Sequence, residues 1–173
     1  MGQLSSAERL EVREIFFESS TRKDFASEEE RESFYRKYVG IYFERFPQFA
    51  FAAKGERVLG YIVGAPQSHL PELMAIQPHL KSFETYFRDF PAHLHINCHS
   101  EARGLGVGSQ LTEHLMARFQ EANIKGLHIM TGPESRNKNF YQKLGFDFEV
   151  TLTYSGNPIL MMGKSLGPKP KDK

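Results

Sequence analysis

The chain has 173 residues, a net charge of +1, 40% hydrophobic and 25% charged residues. That length supports one folded domain with its own core, and the balanced charge gives no sign of a dedicated nucleic-acid or membrane surface. No apolar run reaches the roughly 18 residues of a membrane crossing, the N-terminus lacks a secretory pattern, and the lone Cys98 cannot close an internal disulfide, so a cytoplasmic protein is expected. Gly2 and Ser6 formally fit a short myristoylation pattern.

A first helix opens at Ser6, with Leu10, Ile15 and Phe16 able to share a face. Ser27 caps a second, whose first turn carries Glu28, Glu29 and Glu30 where the helix dipole favours them. It runs to about Phe46 with Phe34, Tyr38, Ile41 and Tyr42 at helical spacing, and Pro47 ends it. Strands are expected at 49–53 and 58–64 around a Lys54-Gly55-Glu56 turn. The long 66–91 connection, partly helical at 73–87, has the length of a functional lid. A strand at 92–98 leads through a glycine-rich turn into a helix that ends near Phe119 and buries Leu111, Leu115 and Phe119. A strand at 126–131, a helix stopped by Gly145, a strand entered at Phe146 and running over 147–154, and a strand at 159–164 complete the chain. Residues 1–166 read as a single domain and 167–173 as a flexible Pro/Lys-rich tail.

The turn Glu101-Ala102-Arg103-Gly104-Leu105-Gly106-Val107-Gly108-Ser109 is the most telling segment. Its glycines let backbone N–H groups approach a ligand, and the helix behind points its positive end at the same spot. That is how a phosphate or pyrophosphate is held. A P-loop is excluded, because Ser109 stands where its Lys belongs. A dinucleotide fingerprint fits poorly, because its third glycine is again Ser109. What remains is [RQ]-x-x-G-x-[GA], met by Arg103, Gly106 and Gly108.

With the downstream run Asn139-Phe140-Tyr141-Gln142-Lys143-Leu144-Gly145-Phe146, in this order and separation, the chain resembles the GNAT-type N-acetyltransferases. The resemblance covers nearly the whole chain. It implies an α/β (α+β) GNAT fold, with a mostly antiparallel, V-splayed central sheet and helices on both faces. The superfamily's opening strand is here short or missing. The 49–64 hairpin and the 91–97 run also look like bacterial acetyltransferases similar to the acetyltransferase-like domain attached to O-GlcNAc hydrolases.

The implied cofactor is acetyl-CoA. The resemblance places its pantetheine between the 92–98 and 126–131 strands, with an N–H near Asn97 or Cys98 on the acetyl carbonyl and His99 as a further cofactor contact. The pyrophosphate would meet Arg103, Gly104, Leu105, Gly106, Val107, Gly108 and Ser109. Asn137 and Lys143 are further cofactor contacts, the superfamily's usual Asn being Glu134 here. Tyr141 occupies the superfamily's general-acid slot. Strand alternation puts His93, His95 and Asn97 on one face, where His95 first and His93 second are the bases, since imidazole titrates near neutrality. Glu101 is a lesser base. In this superfamily the second helix borders the acceptor pocket, so Tyr35, Tyr38 and Tyr42 join His93 and His95 as substrate contacts. His-x-His also suits zinc, but no third ligand has diagnostic spacing, and no metal is assigned.

The expected activity is direct transfer of acetyl to a primary amine of a small molecule, amino sugar or peptide, by a monomer or homodimer without nucleic-acid or membrane partners. The rival reading is an inactive GNAT-fold module that binds acyl-CoA or another protein.

Overall fold

The computed structural model describes residues 4–167; the Gly2 site and, apart from Gly167, the expected tail lie outside them. The sheet has six strands in the order β1-β2-β3-β4-β6-β5, where β1 is Ala50–Lys54, β2 Val58–Ala65, β3 Ala92–Cys98, β4 Gly126–Thr131, β5 Phe148–Tyr154 and β6 Asn157–Ser165. The β1–β2, β4–β6 and β5–β6 ladders are antiparallel, and β3–β4 is parallel over Ala92↔Leu127 and His93↔His128. Among the described residues no strand precedes the first helix. Two compact units divide the chain: one holds the residues up to Gly64 with His95–Met116, the other Ala65–Leu94 with the residues from Ala117.

In the first unit, α1 (Ser6–Ser19) starts from a capping box: Ser5 Oγ accepts from Glu8 N–H, and the Glu8 carboxylate accepts from Ser5 N–H at 2.7 Å. Its buried face is Val12, Ile15 and Phe16. Leu10 is instead 61% exposed. Five residues separate it from Ile15, about 140° around the helix, so the expected shared face fails.

The second helix starts behind Ser27 as expected, with Ser27 Oγ accepting from Glu30 N–H. It has an unforeseen internal feature. Between α2 (Glu28–Tyr35) and α3 (Ile41–Arg45) runs a π turn, Arg36–Gly40, in which Ile41 N–H reaches back to Arg36 O. Arg36 and Glu44 bridge the turn through two hydrogen bonds, 3.2 and 2.8 Å. Arg13 ties α1 to α2 by pairing with Glu28 and Glu32. Glu11 ties α1 to β2 by accepting Val58 N–H at 2.7 Å. The helix α5 (Val107–Glu121) begins in this unit, where His114 meets the Phe51 ring at 4.5 Å.

In the second unit the 66–91 segment is ordered by packing. It forms α4 (Pro71–Ile76) and a 3-10 helix, Pro78–Arg88, burying Leu73, Leu80, Phe83 and Phe87. Phe90 lies against Gly163, where any Cβ would come within 2.9 Å of its ring. The α5 helix ends on Asn123 at φ 58, with Ile124 N–H bonded to Phe119 O. The same motif ends α6 (Lys138–Lys143): Gly145 takes φ 82 and Phe146 N–H bonds to Tyr141 O at 3.1 Å. Phe146 is therefore buried in the helix stop and β5 begins two residues later than expected, at Phe148.

Candidate functional site

The first unit contains both a glycine turn and an open cavity, joined by the end of β3. In the turn, Gly104 and Gly106 have φ 79 and 78, a region that costs other residues strain. A Cβ on Gly104 would meet nothing within 4 Å, so the glycine serves backbone conformation there, not tight packing. The first α-helical bond of α5 runs from Gln110 N–H to Gly106 O at 3.0 Å. The N–H groups of Val107, Gly108 and Ser109 therefore have no acceptor within the helix, and they share the positive helix end. Arg103 is exposed beside them. These features suit a diphosphate. Leu105 is a correction: its N–H is turned back to Ala102 O at 3.3 Å and its side chain is 67% exposed, so it offers a ligand no donor.

His99 positions this turn. Its N–H bonds to Leu59 O at 2.8 Å, and its Nδ1 accepts from Glu101 N–H at 3.3 Å, capping the short 3-10 turn Ser100–Ala102. Arg57 donates to the same Nδ1 at 3.1 Å and also pairs with Glu101. Glu18 lies 3.5 Å from Nε2. Glu101 is an exposed partner of Arg57.

The cavity measures ≈330 Å³. The end of α1 supplies Phe16, Ser19, Ser20 and Thr21 to its wall. Phe34, Tyr38 and Val39 come from α2 and the π turn, Tyr61 from β2, and His95 and Asn97 from β3. The π turn adds one residue to the helical repeat, so Tyr38 and Val39 both reach the wall. His95 stands edge-on to Tyr38 at 5.6 Å and to Tyr42 at 5.5 Å. Asn97 donates through Nδ2 to Tyr61 Oη at 2.8 Å. Burial pushes the Tyr61 hydroxyl well above the ordinary phenol range, so it stays a neutral partner.

A sequence profile described as "Acetyltransferase (GNAT) family" matches residues 10–146. The chain belongs to the GNAT acetyltransferase family. Its fold is also that of solved structures at low identity. "SsHAT" superposes with a TM-score of 0.75 at 18% identity, over 96% of this chain and 97% of that one. A mutant agmatine N-acetyltransferase in its apo form gives 0.67 at 16%, over 94% and 97%. The protein yncA from Salmonella typhimurium, solved with its cofactor acetyl-CoA, gives 0.63 at 12%, over 99% and 96%. The GNAT family uses acetyl-CoA, and the turn described above fits that cofactor's diphosphate.

The remaining GNAT expectations fall in different surroundings. Tyr35 is buried between the Phe16 and Phe17 rings, its hydroxyl pushed up to about 12 mainly by desolvation, and it is not in the cavity wall. Tyr42 is fully buried behind His95. His93 is 4% exposed, its Nδ1 2.5 Å from Ser68 Oγ, and it too is absent from the wall. Strand alternation put His93 and His95 on one face, but packing within the second unit covers His93. Cys98 is half-buried, and burial raises its thiol above the ordinary range, with a smaller opposing effect from Arg103. In the second unit, Tyr141 is buried with its ring edge-on to Phe146 at 5.3 Å. Asn137 accepts from Thr131 Oγ1 at 3.0 Å, and Lys143 is exposed. Among the described residues, no group of three or more His, Cys, Asp or Glu is placed to hold a metal ion, and no helix is long and apolar enough to cross a membrane.

Sequence reasoning missed the contributions of Phe16, Ser19, Ser20, Thr21 and Tyr61 to the cavity. The end of α1 carries no motif, and Tyr61 reads as an ordinary strand aromatic. β2 is apolar and buried along nearly its whole length, so no alternation marks which of its side chains face the cavity.

Proposed function

We propose that this chain is an acetyl-CoA-dependent N-acetyltransferase acting on a primary amine by direct attack. The observation that carries this reading is a diphosphate-suited turn one loop away from an open cavity lined by His95 and Asn97. Acetyl-CoA, when bound, would supply a thioester open to attack by the amine, a C–N bond forming as the C–S bond breaks. Val107, Gly108 and Ser109 N–H groups and Arg103 would hold its diphosphate. His95 takes the proton that the attacking nitrogen sheds, and its two tyrosine neighbours fix the imidazole plane. Tyr141 gives its hydroxyl proton to the departing sulfur. Cys98 carries no acyl group, because a thiol raised by burial is a poor nucleophile at neutral pH. The narrower resemblance to the domain attached to O-GlcNAc hydrolases stays part of this reading, as does a cytoplasmic setting.

The test is calorimetry with acetyl-CoA followed by a thiol-release assay over amines, amino sugars and peptides. Saturable binding with release of free thiol in the presence of an amine is expected. Absence of binding would refute the reading, and binding without turnover over the whole panel would leave the inactive module.

A further inference from the structure

Resting on the acetyltransferase reading, we propose that His99 is a positioning residue that holds the glycine turn in shape only while its imidazole is neutral. The coenzyme diphosphate is then bound more tightly at neutral than at acidic pH. All the groups involved lie in the first unit. Two donors converge on one ring nitrogen: the Glu101 N–H at 3.3 Å and the Arg57 guanidinium at 3.1 Å both reach His99 Nδ1. Neither donor has a lone pair to offer, so Nδ1 must supply one. The ring is therefore neutral, with its proton on Nε2, the nitrogen that lies 3.5 Å from the Glu18 carboxylate.

This lone pair sits at the root of the glycine turn. Ala102 N–H bonds to His99 O at 3.0 Å, Arg103 N–H to Ser100 O at 3.3 Å and Leu105 N–H to Ala102 O at 3.3 Å. The last two bonds are long, so the cap on Glu101 N–H is a substantial share of what holds this stretch. Gly106 follows directly, and after it the Val107, Gly108 and Ser109 N–H groups that have no acceptor within the helix. Where those groups point depends on the backbone that leads into them.

Imidazole is the side chain that gains a proton as the pH falls through the physiological range, and this one is 19% exposed, within reach of solvent. Protonation takes the Nδ1 lone pair, and both donors then face the N–H of a cation. The charged groups around the ring absorb the change. The Glu101 carboxylate lies 3.9 Å from Nδ1 and is paired with Arg57; it exchanges that partner for the new N–H. Glu18 keeps Nε2. Lys23 is occupied by Phe17 O and Glu18 O at the end of α1, and Arg103 acts on the neighbouring Cys98. A backbone cap is thus replaced by a side-chain ion pair, and the turn loosens. The added positive charge also attracts a diphosphate, but two carboxylates flank it and salt screens the remainder over about 8 Å. Loss of the cap acts on the ligand-holding backbone itself. By linkage, binding of the coenzyme expels the proton.

The probe is dephospho-CoA, which keeps the diphosphate but lacks the 3′-phosphate, a group that itself titrates at about pH 6. Dissociation constants are measured by calorimetry at about pH 7.5 and about pH 5.5. Wild type is expected to lose about fivefold in affinity on acidification, the worth of one capping bond. His99→Asn offers an amide oxygen, a strong capping acceptor that does not titrate. It is expected to restore the cap, binding within about twofold of wild type at the higher pH and equally well at the lower. His99→Ala, with no acceptor, is expected to bind about fivefold more weakly than wild type at the higher pH and to show no further loss on acidification. Undiminished wild-type affinity at the lower pH overturns the proposal. So does an acid loss in His99→Asn equal to that of wild type, or full-strength binding by His99→Ala. On the chain alone, imidazole nitrogen NMR is expected to show Nδ1 without a proton at the higher pH, and the amide signals of residues 101–105 are expected to follow the ring's titration. A proton on Nδ1 at the higher pH, or amides indifferent to the titration, overturns the proposal without any ligand. Failure of wild type to bind coenzyme at either pH refutes the acetyltransferase reading alone, since the NMR titration still decides whether His99 controls the turn.

Discussion

His95 and His93 sit two residues apart on one strand, yet their surroundings assign them different roles. His95 borders a cavity, whereas His93 is 4% exposed and held by Ser68. His95→Gln is therefore expected to lower kcat by about 10²–10⁴-fold, the range of general acid–base catalysis, while acetyl-CoA affinity measured by calorimetry stays within a factor of about two. A fully active variant would exclude His95 as the base. Gly106→Asp should abolish acetyl-CoA binding, because it strains a φ of 78 and brings a carboxylate beside the diphosphate; unchanged affinity would contradict the site. Tyr35 offers a pH test. Its phenol is raised from 10.0 to about 12 by burial, so the folded state favours the neutral form. The stability this contributes is complete below pH 10 and is lost as the pH rises from 10 toward about 12. Denaturation midpoints should fall across that window, and Tyr35→Phe should flatten the fall.

At the level of elements, the π turn is the feature with the most local consequence. It inserts one residue into an otherwise continuous helix and so decides which side chains face the cavity. Deleting Gly40 should restore α-helical winding and rotate Tyr38 and Val39 relative to α3 by about 100°. The expected outcome is a drop in acceptor kcat/KM of at least about tenfold with helical circular dichroism retained; undiminished turnover would show that the turn is not needed to shape the wall. The capping box on α1 is a purely stabilising device. Ser5→Ala removes one acceptor from the first turn and should cost about 1 kcal/mol, or roughly 2–4 °C in Tm for a chain of this size. Neither capping nor strand pairing reveals the π turn in advance. The 34–42 run Phe34, Tyr38, Ile41, Tyr42 reads equally well as an unbroken α-helix, and only the Arg36–Glu44 bridge and the packing around it favour the wider winding.

At the scale of the whole molecule, the glycine turn and the cavity differ in how they arise. The turn was legible from contiguous residues: Arg103, three glycines at fixed spacing and a helix start dictate their own backbone shape through φ preference and unpaired N–H groups. The strands at Ala92–Cys98 and Gly126–Thr131 were legible for the same reason, as runs bounded by clear breakers. The order of the two family motifs along the chain, again a one-dimensional fact, already pointed to the acetyltransferase fold. The cavity was not legible. Its wall is drawn from two helices, a π turn and two strands separated by up to about eighty residues of sequence, and no short pattern records which of their side chains meet. The same holds for His93 against His95, for Leu10, and for Leu105, whose N–H is claimed by a turn that no motif describes. Local backbone chemistry is written into neighbouring residues and can be read there. Burial, by contrast, is a sum over contacts that exist only once distant segments have packed, so tertiary structure alone decided what lines the cavity.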